Sequence, residues 1–226
     1  MGNLRMRLAT NISALILALL AVLSRDSSAQ VFHEDFNGTS LDLSRWNIQG
    51  GGNITVAGGY STQSADCGQQ FPYVTTIADP FPTSGDFLIR VGFSYPAPGV
   101  GGNGFGATTG FVIGQPGTGY WVWQDFCCGG LRAVCGDLVV PIAPAGDTSY
   151  HVYEWRYISG VYSLYVDNVF MANDESTFRP QGFFFGHPPR PYCEWTTQQI
   201  DFLHIEPIGV TSSRANSWGR LKAMYR

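Results

Sequence analysis

Residues 150–171, YHVYEWRYISGVYSLYVDNVFM, decide the fold of this chain. Two runs rich in aromatic and β-branched residues, 150–157 and 162–166, flank the dipeptide Ser159-Gly160, and Asp167-Asn168 precedes a third run. Runs of this composition favour strands, and both dipeptides favour tight turns between antiparallel strands. The sequence therefore predicts a three-stranded β-meander in this segment.

Short runs of the same kind recur along the chain, separated by breaks rich in Gly, Pro, Asn and Ser. The clearest are residues 87–95, 109–114, 120–126, 182–186 and 200–205. No segment has the apolar periodicity of a long helix. Regularly spaced short strands are typical of an all-β sandwich or barrel. We predict one such domain over residues 30–209, followed by a tail, 210–226, that is an edge strand, a docking helix or a sorting signal.

The N-terminal residues have the three parts of a secretory signal. Arg5 and Arg7 precede an apolar run, 12–23, and small residues end the segment at Ala29. The apolar run is too short to span a bilayer, which takes about 20 apolar residues. We therefore predict that residues 1–29 are a cleaved signal peptide and that the protein is secreted, or periplasmic or cell-surface in a bacterium.

The charge balance argues against nucleic acid as a partner. The whole chain has a formal net charge of −4, and removal of residues 1–29 takes away three arginines and one aspartate. Because a nucleic-acid-binding surface needs an excess of clustered positive charge, this composition excludes that class of partner.

Five cysteines follow the predicted signal: Cys67, Cys127, Cys128, Cys135 and Cys193. In an exported protein the default state of cysteines is the disulfide, although the sequence alone leaves the connectivity open. The pairing that we favour joins Cys67 to Cys193 and Cys127 or Cys128 to Cys135. Zinc is not expected, because the four histidines of the chain lie far apart in sequence.

Three segments in the same order resemble those of a known superfamily. Residues 32–42 (FHEDFNGTSLD) with Trp46 are similar to its first strand and turn, residues 151–168 to its His-x-Tyr strand and Tyr-Val-Asp-Gly hairpin, and residues 200–205 (IDFLHI) to its closing strand. The superfamily is that of the concanavalin A-like lectins and glucanases, which includes laminin G-like domains and glycoside hydrolase family 16. The resemblance implies a two-sheet antiparallel jelly-roll sandwich with one concave sheet.

The catalytic motif of family 16 is absent from the sequence. Retaining glycosidases need two carboxyl groups about 5–5.5 Å apart, and family 16 places them on one strand as Glu-x-Asp-x-Glu. The chain has five glutamates after the predicted signal, and no two of them have that spacing. In the strand that should take this place, residues 120–125, Asp125 is the sole acid. We therefore predict no catalytic residue; the alternative is a divergent glycoside hydrolase that uses Asp125 with Glu154.

The same strand carries a candidate carbohydrate-binding set. Alternation places Trp121, Trp123 and Asp125 on one face of the strand, and flat aromatic faces with a few polar groups are what sugar recognition uses. Glu154 and Arg156 share a face of their own strand and are expected to line the same surface. The sequence thus predicts a secreted, non-catalytic, lectin-like module whose partner is a glycan or polysaccharide.

Two structural alternatives compete with this interpretation. Aromatic residues that alternate along a central strand often fill the core between two sheets, and Glu154 with Arg156 also suits an ion pair on a solvated sheet. In that case the protein is a laminin G-like adhesion module that contacts another extracellular protein, and no free sugar binds to the tryptophans.

The resemblance also implies a structural calcium ion between the first and last strands. Asp201 stands where family members supply a side-chain ligand, and Glu34 or Gly38 stands where they supply backbone oxygens. Oxygen ligands are what a hard cation such as calcium requires. The alternative is that Asp201 only caps the end of a strand.

Overall fold

The structure is a computed structural model that describes residues 32–65, 72–97, 107–115, 118–125, 130–186 and 196–209, without the side chains of residues 65, 97, 107–109, 115, 118, 124, 125 and 196. The predicted signal and C-terminal tail lie outside these ranges. The strands in chain order are β1 (Phe32–Glu34), β2 (Trp46–Gln49), β3 (Asn53–Ala57), β4 (Tyr60–Ala65), β5 (Tyr73–Thr76), β6 (Phe87–Ala97), β7 (Ala107–Gln115), β8 (Thr118–Asp125), β9 (Gly130–Cys135), β10 (Leu138–Ala143), β11 (His151–Ile158), β12 (Val161–Val166), β13 (Val169–Glu175), β14 (Phe183–Gly186) and β15 (Thr196–Pro207). Among these residues no helix is long and apolar enough to cross a membrane.

The strands form two antiparallel sheets. The eight-stranded sheet has the order β13-β12-β11-β6-β15-β4-β3, with β1 also paired to β15. The seven-stranded sheet has the order β10-β9-β8-β7-β14-β5-β2. The predicted all-β sandwich of two antiparallel sheets is therefore confirmed.

The meander predicted from residues 150–171 is β11-β12-β13 at one edge of the eight-stranded sheet. Both of its turns use left-handed backbone conformations, with φ of 50° and 88° at Ser159 and Gly160 and 52° and 67° at Asp167 and Asn168. Two successive positive φ angles are what two-residue hairpin loops require, because this backbone twist matches the twist of the strands. The turn residues seen in the sequence thus fix the register of the meander.

The core lies between the two sheets. In β11, Tyr153, Trp155 and Tyr157 are buried, whereas Glu154 and Arg156 on the alternate positions stay partly exposed. The same alternation along the other strands sends a largely aromatic set of side chains inward. Each sheet therefore has one face in the core and one outer face, and the two outer faces point in opposite directions.

His151, at the start of β11, ties the meander to the loop before it. Its Nδ1 lies 2.6 Å from Asp167 Oδ2 and its Nε2 lies 2.8 Å from Asp147 Oδ2. The hydrogen bond with Asp167 raises the pKa of His151 against the opposing effect of burial. Burial alone would raise the pKa of Asp147 and Asp167, but the hydrogen bonds that they accept outweigh it and lower both values.

The contacts of His151 with Asp147 and Asp167 predict that the stability of the protein depends on pH. A raised histidine pKa contributes stability below the unfolded value of about 6.5, and that contribution is lost as the pH rises through the folded pKa. The lowered aspartate pKa values contribute stability above the unfolded pKa of about 3.9, and this contribution is lost as the pH falls through the folded pKa values. We expect His151→Gln to destabilise the protein by on the order of 1 kcal/mol near pH 5.5 and by much less at pH 9. Urea unfolding of the wild type and the variant at several pH values in this range measures the effect. A difference in unfolding free energy that does not change with pH contradicts the prediction.

Cys135 is a free, buried thiol, so the predicted disulfide with Cys127 or Cys128 is wrong. Alternation in β9 turns Cys135 into the core, where its Sγ lies 4.0 Å from the Tyr162 carbonyl oxygen and burial raises its pKa to about 12. The chain from Gly130 to Cys135 is one extended strand rather than the short hairpin that the spacing suggested. Such a strand holds its ends about 16 Å apart, whereas disulfide-linked Cα atoms lie within about 7 Å.

The disulfide between Cys67 and Cys193 stays a prediction, because both residues lie outside the described ranges. The described register favours it: Thr196 in β15 is the Cα partner of Ala65 in β4, and the two cysteines lie within three residues of this pair. We expect non-reducing peptide mapping to find the Cys67–Cys193 link, and its replacement by two serines to lower the unfolding free energy by about 2–4 kcal/mol. Free thiols at both positions in the protein purified from a secreting host contradict it.

Candidate functional site

Strand β8 presents two tryptophans to the outside of the seven-stranded sheet. Tyr120 and Val122 are buried in the core, while Trp121 and Trp123 occupy the alternate positions and are partly exposed. The two indole centroids are 6.4 Å apart and the ring planes are inclined by 43°. The tryptophans therefore do not fill the space between the sheets, which was the structural alternative to a binding role.

Trp121 belongs to a row of residues that crosses five strands on this outer face. Successive Cα partners in the register are Asn47, Thr75, Phe184, Val112 and Trp121, from β2, β5, β14, β7 and β8. We call these five residues the transverse row. Because neighbouring strands lie about 4.8 Å apart, the row is about 19 Å long. Its polar end is on β2 and β5, and its apolar and aromatic part runs from β14 to β8.

Trp123 lies one step further along β8 and faces a different set of partners. Its Cα partner on β9 is Arg132, whose own partner on the edge strand β10 is Pro141. Among the side chains of this outer face that the structure describes, Arg132 carries the only charge. Asp125 ends β8 opposite Gly130, and its side chain is not described.

Glu154 and Arg156 do not share a surface with the tryptophans, which corrects the expectation from the sequence. Both lie on β11, and they face outward from the eight-stranded sheet, on the opposite side of the core from β8. Alternation reveals which residues of one strand share a face, but it does not reveal which sheet the strand joins. The divergent-hydrolase pair of Asp125 with Glu154 is likewise divided between the two sheets.

On that opposite face, Glu154 belongs to a local cluster of ion pairs. Arg156 donates from Nε to Glu154 Oε1 at 2.6 Å, and Arg90 Nε lies 3.2 Å from Glu154 Oε2. The Arg156 guanidinium also stacks 4.2 Å above the centroid of the Tyr165 ring. The alternative of an ion pair on a solvated sheet therefore describes these residues.

Of the three residues nominated for calcium, Asp201 and Glu34 have side chains, and both side chains already have protein partners. Asp201 is buried, and its Oδ2 accepts a hydrogen bond of 2.9 Å from the Tyr150 hydroxyl. Burial and the Asp201 charge raise the pKa of Tyr150, which keeps this hydroxyl a donor. Glu34 binds Arg45 at 2.9 Å, and Gly38 lies in an exposed turn.

The described part of the chain contains no group of three or more His, Cys, Asp or Glu residues that could hold a metal ion. The nominated set would have to rely on backbone oxygens and on an Asp201 carboxylate that already accepts a hydrogen bond. This arrangement is not a ready-made calcium site, and calcium stays a prediction from the resemblance.

The sequence matches no protein-family model and no curated protein. Solved structures do match. A prokaryotic β-1,3-1,4-glucanase (lichenase) from a mouse hindgut metagenome is 16% identical, covers 79% of this chain and 100% of its own, and has a TM-score of 0.53. The carbohydrate recognition domain of Emp47p is 13% identical, with coverages of 80% and 96% and a TM-score of 0.52. The fold is concanavalin A-like.

An uncharacterised protein from Mycobacterium paratuberculosis also aligns with this chain. It is 13% identical, covers 77% of this chain and 99% of its own, and has a TM-score of 0.58. At such identities the comparisons establish the architecture and no residue role. Glucanases and a carbohydrate recognition domain are both present among these neighbours.

Two aromatic residues of this outer face, Tyr73 and Phe184, were not predicted from the sequence. Phe184 is almost fully buried but lies outside the core cluster, and the Tyr73 ring packs against it with centroids 5.1 Å apart. A signal was present in the run Phe183–Phe185, because alternation must turn its middle ring away from the other two. The sequence showed the rings but not that Phe184 and Trp121 would lie in the same row of the outer face.

Proposed function

We propose that this protein is an exported, non-catalytic carbohydrate-binding module whose ligand lies on the outer face of the seven-stranded sheet. The observation that carries the proposal is the partly exposed pair Trp121 and Trp123, placed side by side outside the core. An indole face offers a flat apolar surface for a sugar ring, while its N–H donates a hydrogen bond at the edge. Asp125, the last residue of the same strand, is the nominated polar member of the site.

The transverse row supports an extended ligand rather than a single sugar. Its length of about 19 Å corresponds to four spacings between neighbouring strands. Amide and hydroxyl side chains at its far end, Asn47 and Thr75, can exchange hydrogen bonds with sugar hydroxyls. Val112 and Phe184, in the middle of the row, are almost fully buried, so a glycan chain laid across the strands would contact Asn47 and Thr75 at one end of the row and Trp121 at the other.

The positions of the carboxylates favour binding over hydrolysis. A pair of acids about 5–5.5 Å apart is needed for the retaining mechanism, and the sequence lacks the Glu-x-Asp-x-Glu strand. Glu154, the second acid of the hydrolase alternative, faces the other way and is held by two arginines. The protein-interaction alternative placed the tryptophans in the core, and their exposure counts against it.

The experiment uses the full chain expressed in a secreting host and the processed protein purified from the medium. N-terminal sequencing is expected to begin near Gln30, and a glycan array is expected to show binding without release of reducing ends. Glu154→Gln is a matched control, because it lies on the opposite face and should leave binding unchanged. Release of reducing ends by the wild type but not by Glu154→Gln overturns the non-catalytic assignment, and the absence of binding to every glycan overturns the proposal.

A further inference from the structure

A third aromatic ring lies partly exposed on the outer face of the seven-stranded sheet, away from the two tryptophans of β8. Tyr73 of β5 precedes Val74, which is fully buried in the core, so alternation along the strand turns Tyr73 outward. The Tyr73 ring packs against Phe184, with centroids 5.1 Å apart and ring planes inclined by 50°. Because Phe184 is almost fully buried, this contact holds one side of the Tyr73 ring in place.

The register of the sheet places Tyr73 level with Trp123. Tyr73 is the Cα partner of Gly186 in β14. Phe185, the residue before Gly186, is aligned through β7 with Val122, the residue before Trp123. We call Tyr73, Gly186 and Trp123 the second row, which runs parallel to the transverse row. Its ends are three strand spacings, or about 14 Å, apart, and in β14 the row has no side chain, because the residue there is glycine.

Exposed polar side chains surround the Tyr73 end of the second row. Gln49 of β2 is the direct Cα partner of Tyr73, and Asn47 and Thr75 lie two residues further along the same pair of strands. Gln49 and Asn47 are exposed. Burial raises the pKa of Tyr73, so its hydroxyl stays protonated and both donates and accepts hydrogen bonds, as the two amides do. An aromatic ring bordered by such groups has the chemistry that a sugar ring requires.

We infer, as a refinement that rests on the proposed function, that Tyr73 and Gln49 form a second sugar subsite and that the ligand is a linear polysaccharide chain. The chain runs along the second row, with one sugar ring on Trp123 and another on Tyr73. A sugar residue in an extended chain is about as long as one strand spacing, so about four residues are needed to reach both rings. A monosaccharide or disaccharide occupies the tryptophan end alone.

The second subsite makes affinity depend on the length of the chain. Once a sugar is bound at Trp123, the residues linked to it reach Tyr73 without a further loss of translational freedom. An aromatic anchor commonly contributes about tenfold or more in affinity. The wild type is therefore expected to bind a tetrasaccharide or pentasaccharide at least about tenfold more tightly than a disaccharide, with little further gain for a hexasaccharide.

The test uses the full chain expressed in a secreting host and begins with an array that carries polysaccharides as well as short glycans. The probes are then the disaccharide to the hexasaccharide, prepared by partial hydrolysis and size fractionation of the polysaccharide that the wild type binds best. Titration calorimetry measures the affinity of the longer members, and protein-observed NMR measures that of the shorter ones.

Tyr73→Ala is expected to abolish the dependence on length, so that the affinities of all members agree to within about twofold, while the affinity for the disaccharide stays that of the wild type. Tyr73→Phe keeps the ring and should keep most of the dependence. Gln49→Ala changes an exposed side chain and should lower affinity by about threefold or more, but only for the longer members. Gln49→Ala decides the matter if Tyr73→Ala does not fold, and Phe170→Ala, on the opposite sheet, is the matched control.

Three results overturn this inference and leave the proposed function standing. They are an affinity of the wild type that does not depend on chain length, a dependence on length that survives in both Tyr73→Ala and Gln49→Ala, and binding on the array to short glycans but to no polysaccharide. A loss in Tyr73→Ala that is equal for all chain lengths shows only a structural role of the ring and also overturns it. The absence of binding to every glycan overturns both this inference and the proposed function.

Discussion

Replacing Trp121 and Trp123 together by alanine is expected to lower glycan affinity by at least about 100-fold and to leave the fold intact. Truncation of a central aromatic anchor commonly costs about 2 kcal/mol or more, and each 1.4 kcal/mol is a factor of ten in affinity. Neighbouring residues are not additive, so the loss for the pair differs from the sum of the two single losses. Because both side chains lie outside the core, the far-UV circular dichroism and the melting temperature should change little.

Two further variants serve as controls for this result. Phe170→Ala removes an aromatic ring that is more exposed than either tryptophan, at 53%, from the outer face of the opposite sheet and should leave glycan affinity unchanged. Trp121→Phe with Trp123→Phe keeps flat aromatic faces and should retain a measurable part of the binding. If the alanine variant folds and binds the glycan as well as the wild type does, the tryptophan pair is not the site.

The meander shows how much of this fold the sequence contains. Residues 150–171 combine strand-forming runs with two dipeptides that adopt left-handed conformations, and the structure forms those two turns at those positions. Local propensity and turn chemistry agree there, so a short segment determines strands, register and which side chains face inward. The exposure of Trp121 and the burial of Val122 follow from the same alternation.

Relations between distant strands could not be predicted in this way. Glu154 and Trp121 each had a correctly predicted face within their own strand, but β11 and β8 belong to different sheets. The assignment of a strand to a sheet depends on long-range pairing, for which a single sequence carries no periodic signal. Arg132 and Phe184 reach the candidate site by the same long-range pairing, through β9 and β14.

Cys135 illustrates a second limit of local reasoning. The interval of seven residues after Cys128 suggested a short hairpin, but residues 130–135 form an extended strand whose alternate positions enter the core. A free cysteine behaves as a small apolar residue in such a position. Spacing between cysteines is informative only when the secondary structure between them is known.

Phe111→Ala is expected to lower the free energy of unfolding by about 3–5 kcal/mol, the range measured for aromatic residues in protein cores. Phe111 of β7 is fully buried and makes edge-on contacts with Tyr153 and Trp155 of β11, at centroid distances of 5.5 and 5.8 Å. It therefore joins the seven-stranded sheet, which carries the candidate site, to the eight-stranded sheet. Urea denaturation measures the loss.

The same substitution should affect stability but not binding. The Phe111 ring points into the core, whereas the neighbouring Val112, which is unchanged, belongs to the transverse row. Phe111→Leu fills most of the space and should cost roughly half as much, which keeps the test possible if the alanine variant does not fold. At temperatures where Phe111→Leu remains folded, its glycan affinity should stay within about twofold of the wild type, since no ligand-contacting atom is removed. A loss of less than about 1 kcal/mol for Phe111→Ala would mean that the two sheets are not held together by this ring, and the core would then have to be assigned differently.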